Sequence, residues 1–564
     1  MQADLLMGGD DQVMQSGEGT AFQAIAGDAL DGRFDNVEAE DGGRRGSDSR
    51  GNIRVLVELR PALDGFSGIP QETRLLFRTL LDVKGVVVTG LLQHGGRDIP
   101  IKLAPPATKQ IAEGSDVGQI NTMSRVVAAF SDDGYRGTVG TILRFGNKAI
   151  RRIRLRLALL FGVPIRLGAF SPNSFEDFVW RTFFAKTLPI EDRIAVIGAQ
   201  YRVLTIAMAT LNRIKLSLFG LMAVKRFMKV DTRDFDIFVV QTPFPGVVSR
   251  RTRLIVRYHD AIPIFMPHTI KDRAFHQAAH FDALCRNVRQ GAYFACVSAA
   301  TRDDLLKIFP EIGERAVVIH NTVSPIFREE ESSRELVAAI VSSRLFRPLG
   351  KKYKELTASQ LDMFARCRMD PGQQDFRYLL VVSTIEPRKN HASVLAAWEL
   401  LRSRHRFPFK LVFVGDLGWE YSELVDALTP WVERGQFFQL SNVPAADLRV
   451  LYKHAEVTVC PSYAEGFDYA GVESMLSGGL VAASDIAVHR EVYQDACIYF
   501  DPYSVESMVR GILDAMALRE TPTALAEFGV RAQRVAAQYR RETMGRQWKE
   551  FIQIVGRAHG DASR

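Results

Sequence analysis

One stretch decides the fold: Pro461-Ser462-Tyr463-Ala464-Glu465-Gly466-Phe467-Asp468-Tyr469-Ala470-Gly471-Val472-Glu473-Ser474-Met475-Leu476-Ser477-Gly478-Gly479. The residues just before it, 455–460, are mostly apolar or β-branched and predict a short buried strand. Gly466 permits a tight turn, and the pair Gly478-Gly479 ends a helix predicted over residues 471–476. Glu465 is therefore expected at the carboxyl end of a strand, and Glu473 in the first turns of the next helix. Carboxylates so placed can face one crevice and accept hydrogen bonds from a polyhydroxylated ligand.

Length and composition narrow the class of protein. A chain of 564 residues is too long for one core, so we expect two or more domains. A net charge of +7 spread over this length does not by itself indicate nucleic acid, and no nucleic-acid partner is expected. The five cysteines have neither zinc nor disulfide spacing, which is typical of a reducing compartment. With no signal peptide and no long apolar run in the sequence, we expect a cytoplasmic protein, at most peripheral at the inner face of the membrane.

Composition shifts divide the chain into four parts. Residues 1–50 are rich in Gly and charged residues and are predicted to form a disordered arm. Residues 51–330 alternate strand and helix patterns and are predicted to form a first α/β domain. Residues 331–376, charged and interrupted by Pro and Gly, are predicted to be a linker, and residues 377–564 a second Rossmann-like domain.

A second motif predicts an anion site at another strand end. A strand over residues 378–383 is followed by Thr384-Ile385-Glu386-Pro387-Arg388-Lys389-Asn390 and then by a helix. Arg388 and Lys389 are thus expected beside a helix N-terminus, where a diphosphate would gain two cations and free backbone N–H groups.

The first domain supplies weaker signals. A Gly-bearing loop with Gly68 follows the first strand, and it could approach a phosphate or be an ordinary tight turn. His259 ends the strand over residues 254–258, before a break at Pro263. Asp234-Phe235-Asp236 spells D-x-D, but it opens a strand without a partner ligand, so we interpret it as a solvated strand start and expect no metal.

These motifs resemble those of retaining glycosyltransferases with the GT-B fold, in particular family four, and most closely the bacterial mannosyltransferases of polysaccharide assembly. Residues 465–473 are similar to the family's E-x7-E motif, with departures at Asp468-Tyr469-Ala470, where Gly-Leu-Pro is common. The resemblance implies that Glu465 and Glu473 contact the donor sugar and the ribose, with Gly466 and Phe467 in the same motif. It also implies diphosphate contacts from Arg388 and Lys389. The resemblance further places five other residues at the donor: His259, Gly68, Thr384, Asn442 and Val443.

The resemblance implies an α/β GT-B fold, with two Rossmann-like domains facing a central crevice and a helical insertion in the first. The last helix would cross back to the first domain. The implied activity is retaining, metal-independent transfer of a hexose, preferably from GDP-mannose, to a glycan acceptor, with no cofactor. A UDP-sugar-dependent glucosyltransferase, a nucleotide-sugar epimerase and a binding-only protein of this fold remain alternatives.

A basic stretch from Arg144 to Arg166, within the predicted helical insertion of about residues 130–230, is a candidate surface for binding a partner. It carries seven basic residues without an acidic one, alternating with Leu, Ile and Phe: Arg144, Lys148, Arg151, Arg152, Arg154, Arg156 and Arg166. We expect a basic amphipathic helix. It could hold the protein at an anionic membrane surface, which suits a polyprenyl-diphosphate-linked glycan acceptor, or it could pack on its own domain with a solvated basic face.

Overall fold

Strands rich in Val, Ile, Leu and Phe build two separate sheets. The computed structural model describes residues 52–561, apart from 67, 100–116, 132–150, 152, 218–226, 272, 349–352, 354, 370–371 and 373–375. The predicted disordered arm, residues 1–50, lies outside the described residues, as do Arg144, Lys148 and Arg152 of the basic stretch.

The first sheet has eight strands in the order β10-β9-β8-β6-β1-β2-β4-β3, all parallel to their neighbours except β3. In β1, Val55 pairs with Val88 of β2 and Ile237 of β6. Val55 and Leu56 belong to core clusters on opposite faces of this sheet, because successive side chains of a strand alternate. A separate small sheet consists of β5 and β7. The strands of these two sheets are β1 Ile53–Glu58, β2 Val86–Gln93, β3 Gly168–Phe170, β4 Gln200–Leu204, β5 Met228–Lys229, β6 Ile237–Val240, β7 Gly246–Val247, β8 Arg253–Tyr258, β9 Tyr293–Cys296 and β10 Ala316–Val318.

Helices connect and cover these strands. Those of the first half, including a helix over residues 153–161, are α1 Ile69–Leu81, α2 Val117–Ser131, α3 153–161, α4 Glu176–Val179, α5 Arg193–Ile197, α6 Met208–Ser217, α7 Ile262–Phe265, α8 Arg273–His276, α9 Asp282–Arg289 and α10 Ala299–Ile308. A π-helical turn, Trp180–Phe184, follows α4 directly.

The second sheet has six strands in the order β13-β12-β11-β14-β15-β16, all parallel. They are β11 Tyr378–Val382, β12 Lys410–Val414, β13 Phe437–Leu440, β14 Val457–Cys460, β15 Val481–Ser484 and β16 Ile498–Phe500. The helices from residue 331 onward are α11 Glu335–Arg344, α12 Ala358–Arg366, α13 His391–His405, α14 Ser422–Glu433, α15 Ala445–His454, α16 Tyr469–Leu476, α17 Ala487–Tyr493, α18 Val505–Ala517, α19 Pro522–Ala537 and α20 Arg541–Asp561.

The predicted fold class is confirmed: two Rossmann-like α/β sheets turn the carboxyl ends of their strands toward a shared crevice, which is the GT-B arrangement. The last helix, α20, packs on the first half, where Arg541 forms an ion pair with Asp192 at 2.5 Å and Trp548 lies under the Arg257 guanidinium. In the predicted linker, α11 leads to Phe346, whose N–H donates to Gln439 O at 2.7 Å on the second sheet.

The region around residues 130–230 contains more than the expected helices. It also supplies β3 and β4 to the first sheet, and Thr89 of β2 pairs with Gln200 of β4. Short apolar runs do not distinguish strand from helix by periodicity alone, which explains why these strands escape prediction. None of the described helices has the length and apolar composition needed to cross a bilayer.

Candidate active site

A cavity of about 340 Å³ lies between the carboxyl ends of the two sheets. It brings together predicted site residues that are more than 400 positions apart in the chain. Asn442 is not among the residues that line it; this residue stands next to Val443 with a φ of 52°. The predicted residues that do line the cavity are Gly68, His259, Thr384, Arg388, Lys389, Val443, Glu465, Gly466, Phe467 and Glu473.

At Gly466 the backbones of the two halves approach each other closely. A Cβ built on Gly466 would lie 1.9 Å from the backbone oxygen of His259. No side chain fits there, so the loop after β14 can touch the end of β8 only because residue 466 is glycine. This contact sets the spacing between the first-domain wall and Glu465.

Glu465 pairs with both Arg388 and Lys389, the two cations predicted to bind a diphosphate. Its Oε2 lies 2.9 Å from the Arg388 guanidinium, and Lys389 Nζ bonds to Oε1. Burial opposes ionisation of Glu465, but Arg388 and Lys389 outweigh it and hold its pKa below the usual range. Glu465 is therefore a carboxylate at neutral pH, and in this ligand-free arrangement it occupies the two cations.

Arg388 is also shared with other acceptors. It forms an ion pair with Glu386 at 2.7 Å and donates to Ala464 O at 2.6 Å. Burial raises the pKa of Glu386 and of Asp260, a further carboxyl group in the cavity wall, against the pull of Arg388 and Lys389. Burial thus disfavours ionisation of Glu386 and Asp260, and the charges of Arg388 and Lys389 act in the opposite direction.

Asn390 explains why this loop can approach β14. It has a φ of 54°, in the left-handed region that Asn tolerates better than most residues. Its side-chain amide donates to Pro461 O at 3.1 Å and to Pro502 O at 3.0 Å. These bonds fasten the Arg388-Lys389 loop to the start of the Glu465 loop.

Glu473 lies at the opposite wall, in α16. Its two oxygens accept hydrogen bonds from Gln71 Nε2 of α1 at 2.6 Å and from Tyr452 OH at 3.1 Å. Burial outweighs these bonds and raises the pKa of Glu473 to about 7. The carboxyl group therefore exchanges its proton near neutral pH, and Gln71 links it to the first half.

His259 lines the cavity and is neutral. Burial, with help from the Arg257 charge, lowers the pKa of His259 to about 3 against a hydrogen bond to the backbone of Gln241. Its Nε2 is buried and has no hydrogen-bond partner within the part of the chain that the structure describes. Since buried polar atoms are normally paired, this nitrogen is suited to a bond with a bound ligand.

The departures from the family motif form their own contacts. Asp468 caps α16, accepts from Ala470 N at 3.3 Å and lies 3.2 Å from His489 Nε2. Burial opposes the ionisation of Asp468, but His489 and Lys389 hold its pKa well below the usual range. Phe467 lines the cavity while its ring packs against those of Tyr469 and Tyr539.

Tyr469 forms a second link between the halves that the sequence did not predict. Its hydroxyl donates to Glu72 Oε2 at 2.9 Å, and Glu72 in turn forms a buried ion pair with Arg257 at 2.9 Å. Burial raises the pKa of Glu72 against the Arg257 charge. The position of Glu72 in the first turn of α1 gives no sign of such a partner in the sequence, because the pairing depends on tertiary packing.

The D-x-D sequence is remote from this chemistry. Asp236 accepts hydrogen bonds from Arg54 N at 2.8 Å and from the Arg54 guanidinium at 3.0 Å, at the amino end of the first sheet. Among the described residues, no three His, Cys, Asp or Glu side chains are grouped to hold a metal ion.

The site can therefore do three things chemically. Arg388 and Lys389 can neutralise an anion, Glu465 and Glu473 can accept hydrogen bonds from hydroxyl groups, and His259 offers a neutral ring nitrogen. All three lie at the strand ends of one α/β crevice, where such folds bind ligands.

Comparisons with known proteins find similarity to glycosyltransferases. Residues 370–531 match the model of the family described as Glycosyl transferases group 1. O-antigen chain mannosyltransferase B of Escherichia coli is 35% identical over 150 residues, which are 26% of this chain and 39% of that protein. O-antigen chain mannosyltransferase RfbU of Salmonella typhimurium is 33% identical over 89 residues, 16% of this chain and 24% of that protein. The chain thus spans well under half the length of these relatives.

Among solved structures, a sucrose-phosphate synthase from Thermosynechococcus elongatus superimposes with a TM-score of 0.49 at 13% identity, over 90% of this chain and 100% of that one.

Proposed function

We propose that this chain, whose residues 370–531 form a glycosyl transferases group 1 domain, transfers a hexose from a nucleotide diphospho-sugar to a glycan with retention of anomeric configuration. The observation that carries the proposal is the convergence in one cavity of the cations Arg388 and Lys389 with the carboxylates Glu465 and Glu473. These groups match the three parts of such a donor: diphosphate, sugar and ribose.

Arg388 and Lys389 exchange one anionic partner for another when the donor binds. Without ligand it is bound to Glu465; a diphosphate, with more charge and more acceptor oxygens, competes for the same donors. Once Arg388 and Lys389 turn to the diphosphate, Glu465 is released to accept hydrogen bonds from the sugar hydroxyls. Arg388 and Lys389, already in position, then stabilise the negative charge that develops on the leaving diphosphate in the transition state.

Glu473 and His259 complete the donor site. Glu473 accepts hydrogen bonds from the ribose hydroxyls, and the unpartnered Nε2 of His259 bonds to the sugar or to the acceptor hydroxyl. Neither role requires a metal ion, since the diphosphate is neutralised by side chains. The retaining outcome follows from the resemblance of the Glu465–Glu473 motif to the retaining family.

We choose GDP-mannose as the donor, with UDP-glucose as the alternative. The names of the relatives support mannose, because both are O-antigen mannosyltransferases. The corresponding acceptor is a glycan of a cell-surface polysaccharide, carried on a polyprenyl diphosphate.

The test is a transfer assay with purified protein and a mannose-terminated acceptor. GDP-mannose should give a product whose new linkage is α, as read from the anomeric proton signal, together with slow GDP release when the acceptor is omitted. Transfer from UDP-glucose alone would select the alternative donor. Interconversion of sugars without transfer would identify an epimerase and refute the proposal.

We further propose that the protein works at the anionic inner face of a membrane through α3. Positions 153, 157, 160 and 161 recur at helical spacing, and their apolar side chains are exposed; Phe161 is 79% exposed and Ile153 56%. Leu155 and Leu159, on the other face, are buried in the core. Exposed Arg154 and Arg156 flank the outward stripe, as in helices that lie in a membrane interface.

Arg151, just before α3, is not available to a membrane surface. Arg151 donates to Ile99 O at 2.9 Å and to Thr205 O at 2.7 Å, so it fastens the start of the basic stretch to its own domain. The stretch therefore packs on its own domain through Arg151, Leu155 and Leu159, while Arg154 and Arg156 are exposed to solvent.

Sedimentation with liposomes tests this surface. Binding to anionic vesicles should fall at high salt and in Arg154→Glu with Arg156→Glu, since each basic residue near such a surface contributes about 1 kcal/mol. Phe161→Ser should weaken binding at all salt concentrations. Arg366→Glu, at an exposed arginine of α12, is the control. Equal, negligible binding to anionic and neutral vesicles would refute the membrane role.

A further inference from the structure

A second cavity, of about 400 Å³, opens beside the donor site at the carboxyl ends of β1 and β2, and Lys186 lines both. We call it the basic cavity and define it by six of its lining residues: Arg60, His94, Phe130, Arg181, Thr182 and Lys186. We propose that the basic cavity is the subsite for an anionic group of the acceptor, such as the diphosphate of a lipid-linked glycan. This inference rests on the transferase function proposed above.

Lys186 places an ammonium group in the wall of the basic cavity. Lys186 Nζ donates to Leu63 O at 3.2 Å and to Asp64 O at 3.1 Å, which leaves one of its three protons unused. Within the described ranges no carboxylate lies within ion-pair distance of this ammonium group. Its positive charge, half-buried at the boundary of the two cavities, is thus not neutralised by a direct partner.

His94 adds a fixed donor. Its Nδ1 accepts hydrogen bonds from Gly96 N and Arg97 N, both at 3.0 Å, so the neutral ring must carry its proton on Nε2. Burial, with the Arg97 charge, keeps the pKa of His94 below its usual range, so the ring remains in this neutral form at physiological pH. Nε2–H is then available to an acceptor oxygen.

Arg181 adds an exposed cation to the lining of the basic cavity. Its side chain is 77% exposed and lies 3.8 Å from Asp177, itself 66% exposed, which is a weak pairing. Arg60, in contrast, is already engaged: it forms an ion pair with buried Glu58 at 2.8 Å. Asp64 is the one carboxylate among the residues lining the basic cavity. The charges of Arg181 and Lys186 exceed it, so an anion is favoured over a neutral group.

The position of the cavity suits an acceptor rather than a second donor. The loop that forms one wall is tied to α6, because Met208 N donates to His94 O at 3.2 Å and Ala209 N to Gly95 O at 2.9 Å. The segment just before α6 is also the one to which Arg151 is bonded, through Thr205 O. The basic cavity therefore lies on the side of the first half to which Arg151 fastens the start of the basic stretch, and it adjoins the donor site at Lys186.

Three soluble acceptor probes test the inference. They are a mannobioside with a neutral alkyl aglycone, the same mannobioside with an alkyl diphosphate, and one with a carboxylate on the sugar. Dissociation constants are measured by calorimetry with GDP present, and transfer rates are measured separately. We expect an anionic probe to bind about tenfold more tightly than the neutral one, and the preferred anion identifies its source, lipid linkage or acidic sugar.

The variants separate this subsite from other causes. Arg181→Gln should reduce the preference about fivefold, and Lys186→Met should remove most of it, with partial recovery in Lys186→Arg. Arg366→Gln, an equally exposed arginine paired with an aspartate four residues away, should change nothing. Equal affinity for the three probes, or a preference unaffected by both Arg181→Gln and Lys186→Met, overturns the inference. Preference in binding without any transfer would instead refute the proposed function and leave the subsite standing.

Discussion

Glu473 should make nucleotide affinity depend on pH in a predictable direction. Its pKa is raised to about 7 by burial, and only the ionised form offers two oxygens to the ribose hydroxyls. The ionised fraction is about one-tenth at pH 6 and about nine-tenths at pH 8. Because apparent affinity scales with the fraction of competent protein, the Kd for GDP should fall about tenfold as the pH rises from 6 to 8.

The substitution Glu473→Gln is the matched control for this titration. Glutamine keeps the size and the acceptor oxygen but cannot ionise, so its variant should bind GDP more weakly at pH 8 and show a smaller pH slope. The nucleotide's own phosphate titrates near pH 6, and the control contains that contribution equally. Calorimetry at several pH values measures both slopes. Identical slopes in wild type and Glu473→Gln would refute the ribose role of Glu473.

The raised pKa also has a consequence for stability. Between the ordinary value of 4.5 and about 7, the folded state holds a proton that the unfolded state has lost. The free energy of unfolding should therefore decrease as the pH rises through this window, and Glu473→Gln should reduce that dependence. Thermal unfolding without nucleotide measures it.

Two further substitutions test the contacts around Glu465. Gly466→Ala places a Cβ 1.9 Å from the backbone oxygen of His259, so the two walls of the cavity must separate by about 1 Å or more. We expect kcat/KM to fall about 100-fold with little change in fold. Gly529→Ala, at an open helical position, is the control, and normal activity in Gly466→Ala would contradict the close approach. Lys389→Met should weaken GDP binding about tenfold or more, while Lys389→Arg should retain most of the affinity. EDTA should leave wild-type transfer unchanged. Activity that is lost in EDTA and restored by a divalent cation would contradict neutralisation of the diphosphate by side chains.

Much of the local structure was predictable from the sequence. The strand before Pro461 and the helix containing Glu473 follow from composition and from glycine placement, and β14 and α16 lie where these signals put them, within two or three residues. Arg388 and Lys389 were predictable as a strand-end pair for the same reason: local patterns determine which end of a strand a residue occupies.

The partners of these residues were not predictable. Gln71 bonds to Glu473 across 402 positions, and Tyr469 bonds to Glu72 across 397. Such contacts depend on how the two sheets are set against each other, and periodicity reports only which face of an element is buried. The pairing of Arg388 and Lys389 with Glu465 was missed for this reason, although each residue was expected in the site.

The strands β3 and β4 illustrate a second limit. They lie in a region whose basic and apolar residues favour an amphipathic helix, and that prediction describes α3 well. Residues 200–204 nevertheless form a strand because they add to the edge of β2, which is a tertiary effect that overrides local propensity.

The most direct test of the account is the competition that it places at Lys389 and Arg388. Transfer from GDP-mannose to a mannose-terminated acceptor is measured in wild type and in Glu465→Gln, alongside the affinity for GDP. If the diphosphate takes the cations from Glu465, the variant should bind GDP at least as tightly as wild type, since a competing carboxylate is gone, while mannose transfer falls steeply because the sugar has lost its acceptor. A variant that binds GDP more weakly but still transfers mannose at the wild-type rate would contradict the central claim.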